Sequence, residues 1–369
     1  MFKTTLKQDN NRMMLRHILR KCVTAKYGPE PDKIIVERLL REWQAMEQKA
    51  MVEHVLLLYR FKEWLDKKNK PYWLKGTGSY SLMLYILGIA RTNPLSPHYY
   101  CPVCKKVQWI KGVKDGFDVL EERTCECKTL MECDGHDLPW QPIWGVAKGY
   151  IEFNLPHSLM KLITRFYNMK YSWRNYRDID IMDAEGRKLV RSAKLRFCFG
   201  IDEKYIELLM ADFALRPEKL RSRFEFFKLI SEEIKLQRPI RFPANTFSDV
   251  LALKGLSLGA GTWDRDAKDM LLSGIFTPKD LIAFQEDVFS YFLEHGFTED
   301  EAWLASKDIA LGRGVRNIKE GMDVDQDAWK LERFMKINYI SPKGAMIEYM
   351  LSLLSIYDKA YSKKKVEMN

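Results

Sequence analysis

The chain has 369 residues, 46 % of them hydrophobic and 30 % charged; this is the composition of a folded globular protein of two or three domains, neither disordered nor collagen-like. Its longest strongly apolar run, Met83 to Ala90, is far short of the roughly 20 residues that cross a bilayer, and the opening MFKTTLKQDNNRMMLRH lacks the apolar core of a signal peptide, so a cytoplasmic location with no membrane span is expected. Sixty Lys and Arg against fifty Asp and Glu leave a formal charge of +10, which suits a polyanionic partner as well as it suits a solvated basic face.

Ile34, Ile35, Leu39, Leu40, Trp43, Met46, Met51, Val55, Leu58, Phe61, Trp64 and Leu65 recur at spacings of three and four and predict helix over residues 33–67, stopped by Asn69-Lys70-Pro71. GTGSYS, residues 76–81, then opens the apolar stretch Leu82–Ala90, and Pro94, Pro97 and Pro102 forbid regular helix beyond it. Residues 141–155 (QPIWGVAKGYIEFNL) predict short strands with turns at Gly145 and Gly149. From about residue 200 the pattern is helical. Thr277-Pro278 places a cap before a first-turn proline and predicts a helix Lys279–His295 that Gly296 ends. Thr298-x-x-Glu301 is a capping box for the next helix. Ser341-Pro342 starts a last helix with Ile347, Met350, Leu351 and Leu354 inward, and the tail SKKKVEMN is expected to fray. The fold class is α+β: a mixed first half and an all-helical second half.

Seven cysteines are present, five of them between residues 101 and 133. An odd, clustered set does not read as a secreted disulfide framework. Cys101-Pro-Val-Cys104 and Cys125-Glu-Cys127 are two short turns about twenty residues apart, and four thiolates so paired suit a tetrahedral structural zinc. The second pair is CxC rather than CxxC, so Cys133 is a possible substitute, and His136 competes for the fourth place. Cys22 and Cys198, each between apolar residues, read as small buried side chains.

The run GTGSYSLMLYILGIARTNPLSPHYYCPVC, followed by CECKTLMECDGHDLPWQPIWG, resembles the alpha subunit of bacterial DNA polymerase III of the PolC type, a C-family DNA polymerase. The resemblance extends upstream through AKYGPEPDKIIVERLLREWQAM. Downstream it takes in TFSDVLALKGLSLGAGTW, the GRG at 312–314 and MKINYISPKGAMIEYML, so that it covers roughly residues 12–360. The exonuclease, PHP, OB and clamp-binding regions of that family have no counterpart in these residues.

The resemblance implies a palm interrupted by an inserted zinc knuckle, a reduced thumb and an all-helical fingers domain. Its parts would be 12–97 (first part of the palm), 98–140 (zinc module), 141–200 (second part of the palm, with the thumb at 157–190) and 201–369 (fingers). The family's chemistry is two-metal nucleotidyl transfer on three palm aspartates. In GYIEFNLP, Tyr150 stands at the first aspartate and Glu152 at the second; in LRFCFG, Cys198 stands at the third. A phenol does not bridge hard cations, and a thiol is too soft for Mg²⁺. RDIDIMD, residues 177–183, offers Asp178, Asp180 and Asp183 as relocated ligands.

By the same resemblance Lys75, Gly76, Thr77 and Ser79 form a phosphate-binding loop, with Lys75 at a family arginine, and Arg313 and Lys343 are basic fingers positions that bind the nucleotide's phosphates. Ala310, Leu311 and Ala345 depart from the family. TRFYNMKYSWRNYRD, residues 164–178, interleaves Arg165, Lys170, Arg174 and Arg177 with aromatics that include Trp173, a pattern for stacking on bases and holding backbone phosphates, or for an ordinary amphipathic helix. The expectation is a PolC-like pseudo-polymerase that binds DNA, as primer–template or single strand, keeps a structural zinc, and has lost nucleotidyl transfer. It would be a replication accessory or modulator encoded by a mobile genetic element. The alternatives are a minimal active DNA-directed DNA polymerase, which alone would need Mg²⁺, and a decoy that binds replisome proteins.

Overall fold

A computed structural model describes residues 2–119, 121–145, 149–162, 179–182, 188–190, 195–214, 225–228, 242–263, 265–315 and 328–367. The chain opens with helix α1 (Phe2–Tyr27), which the sequence pattern did not predict because its buried stripe is narrow, with Leu15, Leu19 and Tyr27 turned inward. Asp32 then caps α2 (Lys33–Gln48) by accepting from the Ile34 amide at 2.9 Å. The single helix predicted over 33–67 is two: α2 ends at Gln48, Ala50 takes a left-handed φ of +51°, and α3 spans Val52–Lys67. Met46 and Met51 are both buried across the break, so the apolar pattern runs on where the backbone does not.

Strand β1 (Trp73–Gly76) leads into a 3₁₀ turn (Gly78–Tyr80) and the short helix α4 (Leu82–Ile86). Next come β2 (His98–Tyr100), β3 (Val107–Trp109) and β4 (Glu132–Asp134), a separate antiparallel sheet in the order β3-β2-β4. Residues 141–144 form a helical turn, α5 (Gln141–Trp144), rather than the predicted strand, with Pro142 in its first turn, where a missing amide costs nothing. Strand β5 (Ile151–Pro156) follows, then β6 (Ile179–Met182), β7 (Lys188–Val190) and β8 (Leu195–Ile201).

These strands and β1 make a five-stranded sheet in the order β1-β5-β8-β6-β7, with β5, β8 and β6 parallel and the two edges antiparallel. Alternation along the strands gives the sheet two distinct faces. On one face Phe153 and Phe197 meet Phe61 of α3 at ring distances of 5.8 and 5.5 Å, and Tyr72 stacks on Phe153 at 4.9 Å. The other face carries Trp73 and Lys75 of β1, Glu152 and Asn154 of β5, and Arg196 and Cys198 of β8 in register.

The rest is helical: α6 (Glu203–Ala214), α7 (Phe247–Leu258), α8 (Arg265–Leu272), α9 (Gln285–Glu294), α10 (Glu299–Ala310), α11 (Ala328–Lys336) and α12 (Lys343–Glu367). The helix predicted over Lys279–His295 starts only at Gln285. Pro278–Asp280 is a 3₁₀ turn, and Leu281–Phe284 run extended to a parallel bridge between Phe284 and Ser341. All four of these residues are buried, and an apolar run that short fits a strand as well as a helix. Helix α12 runs through most of the tail that was expected to fray, ending at Glu367. It crosses the Trp73 end of the sheet, where Tyr349 packs edge-on against Trp73 at 5.3 Å. No helix among the described residues is long and apolar enough to cross a membrane.

Candidate metal centre and sheet-face cluster

Two knuckles bring the cysteines together. In the first, the Cys101 amide donates to the Lys106 carbonyl at 2.9 Å, Lys105 adopts a φ of +66°, and the Cys104 amide points at the Cys101 sulfur at 3.4 Å. In the second, Cys125 and Thr129 pair through the backbone at 2.9 Å around Lys128, with its φ of +64°. The Sγ atoms of Cys101, Cys104, Cys125 and Cys127 all lie within 4.8 Å of one another. Cys101 faces Cys127 at 3.4 Å and Cys104 faces Cys125 at 3.3 Å. Zn–S bonds of about 2.3 Å place tetrahedral sulfurs about 3.8 Å apart, so this set can hold a metal such as zinc, with all four corners closed.

The two candidate substitutes lie elsewhere. Cys133 sits on β4 opposite Tyr99 and is outside the four-sulfur set. His136 is fully buried with Nδ1 at 3.0 Å from both oxygens of Asp115. Lys343 closes the same cluster, at 3.4 Å from Asp115 and donating to the His136 carbonyl at 3.1 Å. Burial would raise the Asp115 carboxyl, but the His136 and Lys343 charges hold it below its usual range. Lys343, read through the resemblance as a phosphate ligand, thus ties α12 to Asp115, between the two cysteine knuckles, and to His136.

The GS-like loop is organised by a buried carboxylate that the sequence reading did not single out. Glu42 of α2 accepts from the Leu82 and Met83 amides at 2.9 and 3.1 Å, from the Ser81 hydroxyl at 2.7 Å and from the Trp144 indole at 3.1 Å. Its place at the start of α4 matches the preference for negative charge at a helix N-terminus. Ser79 lies buried in the turn, whereas Lys75 is exposed on β1.

Gly76 and Thr77 serve Tyr150. The Thr77 amide and hydroxyl donate to the Tyr150 carbonyl at 3.1 and 2.7 Å, and the Tyr150 amide donates back to Thr77 Oγ1 at 3.0 Å. Gly76 has a φ of +70°, and a Cβ there would fall 2.5 Å from the Tyr150 ring. Only glycine lets the ring lie so close.

The other face of that ring is covered by Arg196, whose Cζ lies 3.8 Å from the ring centroid. Arg196 is the register partner of Glu152 and reaches its carboxylate at 3.9 Å. Burial and the charge of Glu152 push the Tyr150 phenol above its usual range, with Arg196 opposing. Cys198 is opposite Asn154, one row further along, and buried. Arg196 was not among the sequence candidates, although the two-residue alternation of LRFCFG places it on the same face as Cys198.

Asp180 of RDIDIMD is on β6 in register with Arg196, so Arg196 separates it from Glu152. Asp178 and Asp183 lie outside the described residues, as do Arg165, Lys170, Trp173, Arg174 and Arg177. Arg313 sits in an exposed turn between Gly312 and Gly314 and pairs with Asp308 at 2.9 Å.

No protein-family model matches the chain. It is similar to curated proteins named DNA polymerase III PolC-type: 22 % identical to that of Caldanaerobacter subterraneus subsp. tengcongensis over 94 % of this chain and 33 % of the relative. It is 21 % identical to that of Ureaplasma parvum serovar 3 over 89 % of this chain and 31 % of the relative, and 22 % identical to that of Staphylococcus aureus over the same shares. The chain spans about a third of the length of these relatives.

Proposed function

We propose that this divergent PolC-like chain is a DNA-binding, replication-related module that has lost nucleotidyl transfer. In this reading residues 12–97 and 141–200 are a palm, 98–140 its zinc module, 157–190 a reduced thumb and 201–369 a fingers-like domain. The protein grips primer–template or single-stranded DNA and serves replication as an accessory or modulator.

One observation carries the reading: Glu152 is the sole carboxylate among the facing residues of β1, β5 and β8, and its neighbours there are a tyrosine ring and an arginine. Two Mg²⁺ ions need several hard oxygen ligands at about 2.1 Å, and this row does not supply them. An active minimal polymerase would have to build its site from Asp180, on the far side of Arg196. The charge of +10 supports a polyanionic ligand.

The test is binding of fluorescent primer–template across a salt series. Affinity is expected to be sequence-tolerant, and log affinity to fall with log salt by about 0.9 per phosphate contacted. Replacing Arg174 and Arg177 together by alanine should flatten that slope by about one to two. An affinity that ignores salt would point to a protein partner instead.

A further inference from the structure

We infer that Arg196 is a resident cation, standing where a two-metal face would hold its divalent ions, so that the Glu152 face takes up no Mg²⁺ or Mn²⁺. This rests on the reading that nucleotidyl transfer is lost, and it names the residue that keeps the metals out.

A carboxylate on a largely covered sheet face needs a counter-charge, because desolvation penalises the unpaired ion. Polymerase-type sites meet that need with metal ions. Here the counter-charge is covalently part of the chain: the Arg196 guanidinium is the cross-strand partner of Glu152 at 3.9 Å. Stacking holds it there as well. Its planar head lies on the Tyr150 ring at 3.8 Å, a cation–π geometry that guanidinium suits better than ammonium does.

Tyr150 in turn cannot drift. Three hydrogen bonds to Thr77 fix its backbone, and its ring is seated on Gly76 where a Cβ would collide. The order Gly76, Tyr150, Arg196, Glu152 is therefore a filled stack rather than a vacant acidic cleft.

The other charges around the stack agree. Lys75, the β1 partner of Glu152, adds a second positive charge in the same row. Tyr339 lies close enough to raise the Tyr150 phenol further. In the next row Asn154 and Cys198 face each other, an amide and a soft sulfur. On β1, β5 and β8 a divalent ion approaching Glu152 would meet Lys75, Arg196 and no second carboxylate, and inner-sphere binding would require Arg196 to leave.

The experiment is a Mn²⁺ titration of the zinc-loaded full chain without DNA, read by the electron paramagnetic resonance of free Mn²⁺. The wild type and Glu152→Gln are expected to give superimposable curves. A double variant, Tyr150→Asp with Arg196→Asp, places three carboxylates in the stack and should gain a Mn²⁺ site at least tenfold tighter than any in the wild type. Adding Glu152→Gln to it should weaken that site again. A wild-type Mn²⁺ site that Glu152→Gln removes would overturn the inference, and so would a folded double variant, checked by circular dichroism, that binds no more Mn²⁺ than the wild type. If the double variant does not fold, the comparison of wild type with Glu152→Gln still decides. Failure of DNA binding leaves this outcome untouched, since no DNA is present.

Discussion

A labelled primer on a longer template, offered all four dNTPs, is expected to keep its starting length when this protein is added, first in Mg²⁺ and then in Mn²⁺. Nucleotidyl transfer depends on cations that activate the primer hydroxyl and meet the charge of the departing pyrophosphate. Electrostatic stabilisation of this kind supplies most of the catalysis in phosphoryl transfer. Losing one ligand of such a site costs several kcal/mol of barrier, and each 1.36 kcal/mol is about tenfold in rate. With a tyrosine ring and an arginine beside Glu152 and a thiol in the next row, extension should fall below detection. Installing aspartate at 150, 152 and 198 is not expected to restore it. The resemblance implies that Ala310, Leu311 and Ala345 depart from the family as well. Extension that survives Glu152→Ala would refute the assignment. Extension abolished by Asp180→Ala would move the site to β6.

The second large effect concerns the cysteine module. Its own hydrophobic cluster comprises four buried residues, Tyr99, Cys101, Cys125 and Met131, and two of these are candidate ligands. A core that small cannot offset the ordering entropy of the loop between residues 101 and 133. Structural zinc in small domains contributes about 10–16 kcal/mol of apparent binding free energy, which then becomes folding free energy. Metal analysis is therefore expected to find about one zinc per chain. Stripping it with a strong chelator should lower the melting temperature and expose the module to protease. Cys101→Ser or Cys125→Ser should do the same, because both thiols are buried in the set, whereas Cys133→Ser should leave the metal content unchanged. A protein that folds and melts normally without metal would contradict this.

The parts of the fold that could be read from sequence are those where chemistry acts locally. Two cysteine turns announce their own geometry, and Thr298 and Glu301 form the capping box their spacing implies. The errors arose where one pattern serves two structures. Met46 and Met51 keep the helical rhythm across a break made by a left-handed alanine rather than by glycine or proline. Leu281–Phe284 are apolar at every position, so periodicity could not tell strand from helix. At the site, sequence reading pointed to Tyr150, Glu152 and Cys198 but not to the arginine that lies between them. Arg196 becomes visible only once β5 and β8 are paired in register. Lys343 was read through the resemblance alone, and its ion pair with the buried Asp115 becomes visible only in the structure.

The central claim is that this chain holds DNA on a polymerase-like scaffold whose metal chemistry has been replaced by a fixed arginine. The most direct measurement is the affinity of the zinc-loaded protein for primer–template in buffer freed of magnesium by a chelating resin, compared with the same buffer after Mg²⁺ is restored at constant ionic strength. The expected result is salt-sensitive binding of equal affinity in both, with the primer unextended. Binding that appears only with Mg²⁺, and that Glu152→Gln abolishes, would contradict it.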